Sequence, residues 1–211
     1  MFMPKDSGGD FVLAPAGAHH AICYRVIDLG TQQVDWMGAV KHKRKVMLSW
    51  ELPDELMEDG RPFTISKRYT LSSSDKSTLR NDLESWRGKK FTDDEFGPGG
   101  FDIKDVIGVS CLLNVIHEKK GDKVYANIAA IVKPPKGTVP KALVNEPVYF
   151  SLDAFDPAVF ASLSDGLKAV ISKSPEYGEA VGKGRPSGMS QEPPAAERHD
   201  DGADDYGEAP F

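Results

Sequence analysis

Between residues 21 and 132 the chain runs through five short apolar stretches separated by turn signals, and one segment among them, residues 74–88, carries a helical rather than a strand period. This succession restricts the fold more than any bulk property. In residues 46–52 the alternation is strict: Val46, Leu48, Trp50 and Leu52 fall on one face, opposite Met47, Ser49 and Glu51. Residues 21–29, rich in Ile, Val and Tyr, precede this strand and close at Gly30; Pro53 closes the second. Residues 63–71 supply a third, with Phe63, Ile65 and Tyr69 together.

The period then changes. Leu79, Leu83 and Trp86 sit at i, i+4 and i+7, with a serine run before them to cap the helix and Gly88 after them to take a left-handed turn. Residues 91–105 read as a loop around Gly97-Pro98-Gly99-Gly100. Residues 109–117 and 124–132 are two further strands, joined by the hairpin-like segment 118–123 and ended by Pro134-Pro135. The expectation is a mainly β protein: a five-stranded OB-fold barrel with a helix between strands three and four, a small partly open Greek-key barrel that binds oligonucleotides or oligosaccharides.

Residues 148–152 offer a sixth strand. Val159, Phe160, Leu163, Leu167 and Val170 predict one short helix within residues 156–172, with Asp156 at its N-cap and Pro157 in its first turn. From residue 181 glycines and prolines predict a disordered linker with an acidic end. The 211 residues thus divide into a flexible leader (1–10), an OB domain (11–153), an accessory helix (154–180) and a linker with an acidic tip (181–211). An apolar fraction of 40%, with 20 glycines and 15 prolines, agrees with part of the chain staying unpacked.

Cys23 and Cys111 both lie in apolar strand-like runs and predict buried thiols in a reducing compartment. The five histidines are not spaced as zinc ligands, so neither metal nor cofactor is expected. No apolar run approaches the roughly 18 residues of a membrane span, and the first residues lack a signal-peptide stretch. The expected location is the cytoplasm, a host's if the chain is phage-encoded.

The net charge of −6 argues at first against a nucleic-acid binder. Its distribution reverses the argument. Residues 181–211 hold three basic and seven acidic residues, a net of −4, which leaves −2 for residues 1–180. In the body the cations cluster: Lys41, Lys43, Arg44 and Lys45 between strands one and two, Lys67 and Arg68 in strand three, Arg80, Arg87, Lys89 and Lys90 around the helix, and Lys119, Lys120 and Lys123 in the last hairpin. Single-stranded nucleic acid needs such cations along its phosphates and aromatic faces for its bases. Trp36, in a polar glycine-punctuated loop, and Tyr125, beside Asn127 on an outer strand face, are the stacking candidates; Tyr69 is a third, although its neighbours Phe63 and Ile65 favour packing. Trp50 and Trp86 read as core.

The end of the chain carries the most specific signal: Asp200, Asp201, Asp204, Asp205 and Glu208, then Pro210-Phe211. Such a tip suits docking, an aromatic ring filling an apolar pocket while carboxylates steer the approach. With that tip and this element order the chain resembles phage or prophage-type single-stranded DNA-binding proteins. The resemblance implies a non-enzymatic, sequence-independent binder that protects single-stranded DNA in replication or recombination and recruits replication or recombination proteins through its tip. It departs from the bacterial family in its long region between strands three and four and in the helix after residue 155; a homo-oligomer is compatible with it, but the family's tetramer is not carried over. Two alternatives stay open: a strand-annealing or recombination-mediator protein on the same scaffold, and a phage structural or host-interaction β-protein without nucleic-acid affinity. No phosphate-binding glycine loop or nucleophile elbow supports an enzyme, and adjacent Asp93, Asp94 and Glu95 in a polar loop are weak metal ligands.

Overall fold

The computed structural model describes residues 12–36, 38–139 and 141–183. Its strands are β1 (Gly17–Trp36), β2 (Ala39–Leu56), β3 (Pro62–Thr70), β4 (Ser110–Lys120), β5 (Lys123–Val132) and β6 (Val148–Phe150). Its helices are α1 (Thr78–Arg87), α2 (Pro157–Ser162), α3 (Asp165–Ile171) and α4 (Pro175–Lys183). Among the described residues no helix is long and apolar enough to cross a membrane.

The expected mainly β architecture with one helix between the third and fourth strands is present. The sheet runs β3-β2-β1-β4-β5 with antiparallel neighbours, and β6 adds to β1 in parallel, so the ladders form an open six-stranded sheet rather than a closed five-stranded barrel. β1 is shared along its length: residues 17–22 pair with β4, and residues 25–27 with β6. α1 contacts both outer strands, β3 and β5, and so lies across the opening between them.

One face of the sheet follows from the alternation of β2. Val46, Leu48, Trp50 and Leu52 are buried there with Ile65 and Tyr69 of β3, Cys111, Leu113 and Val115 of β4, and the Leu79, Leu83 and Trp86 stripe of α1. Trp50 is fully buried and meets the Trp86 ring at 5.8 Å. Burial of such a side chain contributes about 2–3 kcal/mol. Burial also pushes the Cys23 thiol up to about 12, which keeps it protonated and unreactive.

The opposite face is covered only in part. Ile27, Leu29 and Met47 pack there against Phe150, Leu152, Leu163, Leu167 and Ile171. Beside this second core, residues 141–147 cross the sheet as a strap. Glu51, fully buried on β2, accepts hydrogen bonds from the backbone N–H groups of Val144 and Asn145, both at 2.8 Å, and from Asn145 Nδ2 at 2.7 Å. Three donors offset the cost of burying that carboxyl group.

Several boundaries differ from the sequence reading. Gly30 does not end the first strand. It follows a bulge in β1 with φ +68°, and a Cβ there would meet Ser174 Cβ at 2.3 Å. Pro53 does not end the second; it sits inside β2 where the pairing with β3 shifts register. The single helix expected over residues 156–172 is two, because Leu163 is extended between α2 and α3; Asp156 caps α2 as expected, accepting from the Ala158 and Val159 N–H groups. Residues 181–183, expected in the linker, belong to α4, which continues to Lys183; the rest of the expected linker lies outside the described residues. Two glycines make α4 look like linker in sequence, and tertiary contacts hold it: Glu176 accepts from the Thr31 N–H at 2.9 Å and from its hydroxyl, and Tyr177 lies 5.0 Å from the Phe160 ring. The acidic tip, Asp200 to Phe211, and the leader lie outside the described residues.

Candidate nucleic-acid interface

The basic run expected in a connection between strands is strand instead. Trp36 ends β1 with its backbone paired to Ala39, and residues 39–45 form the outer part of β2, opposite residues 30–36 of β1. Only the tip is a turn, at Gly38 with φ +79°. The indole of Trp36 lies outside the described residues.

Because successive strand residues point to opposite faces, the run splits. Lys41, Lys43 and Lys45 share the face of Met47, Ser49 and Glu51, away from the main core. Lys45 Nζ donates to Thr70 Oγ1 of β3 at 2.8 Å, and its ammonium is held below the ordinary lysine value, first by burial and then by repulsion from Lys43. On the same face Arg68 of β3 pairs in register with Met47 and is exposed. Three lysines of β2 and one arginine of β3 therefore form a cationic comb beside the second core.

Arg44 faces the other way. Its guanidinium donates to both Asp28 carboxylate oxygens and pairs with Asp153 at 2.9 Å; Asp28 also accepts from the Gly30 N–H at 2.9 Å and the Leu152 N–H at 3.2 Å. Arg44 is thus a structural tie between the β1–β2 arm and the segment after β6. Lys67 and Tyr69 are likewise corrected. Both point toward α1, where Asp82 Oδ2 accepts from Lys67 Nζ at 2.7 Å and from the Tyr69 hydroxyl at 2.9 Å. With 3% of its surface exposed, Tyr69 has no face on which a base could stack.

The cations after α1 are mostly spent within the fold. Arg87 pairs with Glu95 at 2.7 Å and lies over the Phe91 ring, 4.3 Å from its centroid. Lys90 pairs with Glu84 at 3.3 Å, and Lys89 is exposed. Glu84 accepts from Arg80 Nε at 2.9 Å and from the Phe91 N–H at 3.1 Å. These partners, Arg80 foremost, hold its carboxyl down to about 2; Arg87 foremost does the same for Glu95.

Lys119, Lys120 and Tyr125 stand apart on the β4–β5 hairpin, whose two-residue turn is Gly121-Asp122. All three are exposed, and Tyr125 keeps 43% of its surface open, as its position beside Asn127 predicts. Val115 pairs with Gly17, so residues 116–120 extend beyond the start of β1, whereas the Trp36–Ala39 turn lies at its far end. The two basic hairpins therefore occupy opposite ends of β1, and the predicted cations form three groups rather than one.

Sequence reasoning overlooked Arg25. It lies in the apolar run of β1, and the bulge at residue 24 hides which face it takes. Cross-strand register was the missing signal: Arg25 pairs with Ser49, which pairs with Ser66, and this places Arg25 on the face of the comb. Among the described residues no group of three or more His, Cys, Asp or Glu is placed to hold a metal ion. No protein-family model matches this chain, and no curated protein matches it.

Proposed function

We propose that this protein binds single-stranded DNA without marked sequence preference and without catalysing a reaction on it, in phage-type DNA replication or recombination. The observation that carries the reading is the cationic comb of Lys41, Lys43, Lys45 and Arg68 on one face of β2 and β3. A row of like charges, with the Lys45 ammonium already disfavoured by burial and, after that, by Lys43, gains from an anionic polymer that threads along it. The β4–β5 hairpin adds Lys119, Lys120 and the open ring of Tyr125, the pairing of cation and aromatic that a single strand uses. The order β3-β2-β1-β4-β5, with α1 across the outer strands, supports reading the domain as a partly open OB-type barrel. The acidic tip competes with DNA for these cations and recruits replication or recombination proteins.

The test is anisotropy of a labelled oligo-dT titrated with protein across a salt series. The expected result is binding whose log K falls linearly with log salt, with a slope of about −3 to −5 for four to seven neutralised phosphates. Removing residues 199–211 tightens binding. No binding at low salt, or affinity indifferent to salt, overturns the reading.

A further inference from the structure

On the face of the sheet opposite the main core a polar row crosses three strands. Arg25 Nε donates to Ser49 Oγ at 3.3 Å, and Ser49 Oγ and Ser66 Oγ share a hydrogen bond at 2.8 Å. Ser49 is fully buried, and among the described residues its hydroxyl is held by these two partners. The Arg25 guanidinium lies 5.4 Å from the centroid of the buried Tyr24 ring, so its plane is set by a ring on one side and by the hydroxyl relay at Nε. It makes no ion pair with any described residue, and its two Nη groups donate to none of them. Arg68 stands two residues beyond Ser66 on β3, exposed and likewise without an ion pair among the described residues.

A half-buried arginine on a sheet face ordinarily finds a carboxylate. Here the sequence places serines where a carboxylate would neutralise it. The relay fixes the guanidinium's orientation while leaving its charge unspent, which prepares a planar fork for a two-oxygen anion. Arg25 and the base of Arg68 are about 10–12 Å apart across two strand spacings, so the two arms can hold neighbouring anionic groups of one polymer.

We propose that Arg25 and Arg68, braced around Ser49 and Ser66, form a phosphodiester clamp that steers the strand across β1, β2 and β3 after it leaves the lysine comb. The clamp rests on the single-strand reading above and deepens it, naming a contact surface on β1. Arg25 and Arg68 touch the phosphates; Ser49 is a positioning residue. The strap pinned on Glu51 borders the clamp, so the strand's course runs beside residues 141–147 rather than over them.

The experiment is the same oligo-dT salt series with the full chain and four variants. Arg25→Gln, which keeps an N–H for Ser49, weakens binding about tenfold and makes the salt slope shallower by about 0.7, with the melting temperature unchanged. Arg68→Gln, at an exposed position with no fold to disturb, does the same. Arg25→Lys keeps the slope and loses several-fold in affinity, because an ammonium cannot fork two oxygens. Ser49→Ala leaves the slope untouched and weakens binding about threefold, the mark of lost orientation rather than lost charge. If wild type binds and both glutamine variants match it in affinity and slope, the clamp is overturned while the single-strand reading stands. If wild type fails to bind at low salt, the reading fails and the clamp with it.

Discussion

The chain carries two dense basic segments, residues 41–45 and residues 87–90, and the fold uses them in opposite ways. At the end of α1 the helix and the following loop bring acids within reach: Arg87 meets Glu95, and Lys90 joins Arg80 on Glu84. Along β2 the pleat sorts the cations instead. Arg44 is turned to Asp28 and Asp153, while Lys41, Lys43 and Lys45 are gathered on the other face with Arg68 beside them. A basic run therefore says little about ligands until the backbone period is known. On a strand, alternate residues of the same run serve structure and surface.

The largest test of this contrast replaces the comb. Lys41, Lys43 and Lys45 changed together to Gln should weaken oligo-dT binding by roughly a hundredfold at low salt and flatten the salt slope by about 2, while the melting temperature moves little. A loss of stability as large as the loss of binding would mean that the lysines hold the arm rather than a ligand.

Arg44→Gln should do the reverse. It leaves Asp28 nearly buried with two backbone N–H donors and no cation, at a cost of about 2–3 kcal/mol, below the figure for a fully buried pair because Arg44 keeps some solvent contact. The salt slope of DNA binding should stay at the wild-type value. Thermal melts and the salt series together decide it: an unchanged melting temperature with a shallower slope would move Arg44 into the comb.

What could be read from the sequence divides along the same line. The alternation of Val46, Leu48, Trp50 and Leu52 and the stripe of Leu79, Leu83 and Trp86 were enough to place the main core, because each rests on a local period. The parity that separates Arg44 from Lys45 was also available, but ending the first strand at Gly30 and beginning the second at Val46 turned the run into a loop and discarded it. Long-range partners were not legible. Asp82 takes Lys67 and Tyr69 from another element, Thr31 and Glu176 are brought together by the C-terminal helices, and Arg25 acquires its face only through a bulge and register with β2. Of the stacking candidates, Tyr125 is open, as its place beside Asn127 predicts, and Tyr69 is closed, as its place beside Phe63 and Ile65 predicts; what those neighbours did not show is Asp82 of α1, which accepts from the Tyr69 hydroxyl.

The α1 end makes its own prediction in acid. Glu84 and Glu95 are held down to about 2 by their basic partners, against about 4.3 for an unfolded glutamate. A depressed carboxylate stabilises the fold fully above the unfolded value and loses that contribution as pH falls toward the folded one. Melting temperature should therefore drop between about pH 4.5 and pH 2, and Glu84→Gln should make the drop shallower. An equally steep acid limb in that variant would assign the acid sensitivity to other carboxylates.

The smallest expected effect is the sharpest check on the comparison. Lys89 and Lys90 are both exposed and belong to the denser-looking end of the helix segment, so a reading of charge density alone gives them the same weight as Lys41 and Lys43. The geometry does not: Lys90 already faces Glu84, Lys89 lies in the field of Glu95, and both follow α1, which packs on the face of the sheet opposite the comb. Changing both to Gln should alter oligo-dT affinity by less than about twofold and leave the salt slope within about 0.3, since residual long-range attraction is screened within roughly 8–10 Å at ordinary ionic strength. A loss of about twentyfold here, the share of two of the three comb lysines, would mean that the strand crosses the helix end, and that pairing with a carboxylate had not withdrawn these cations from the ligand.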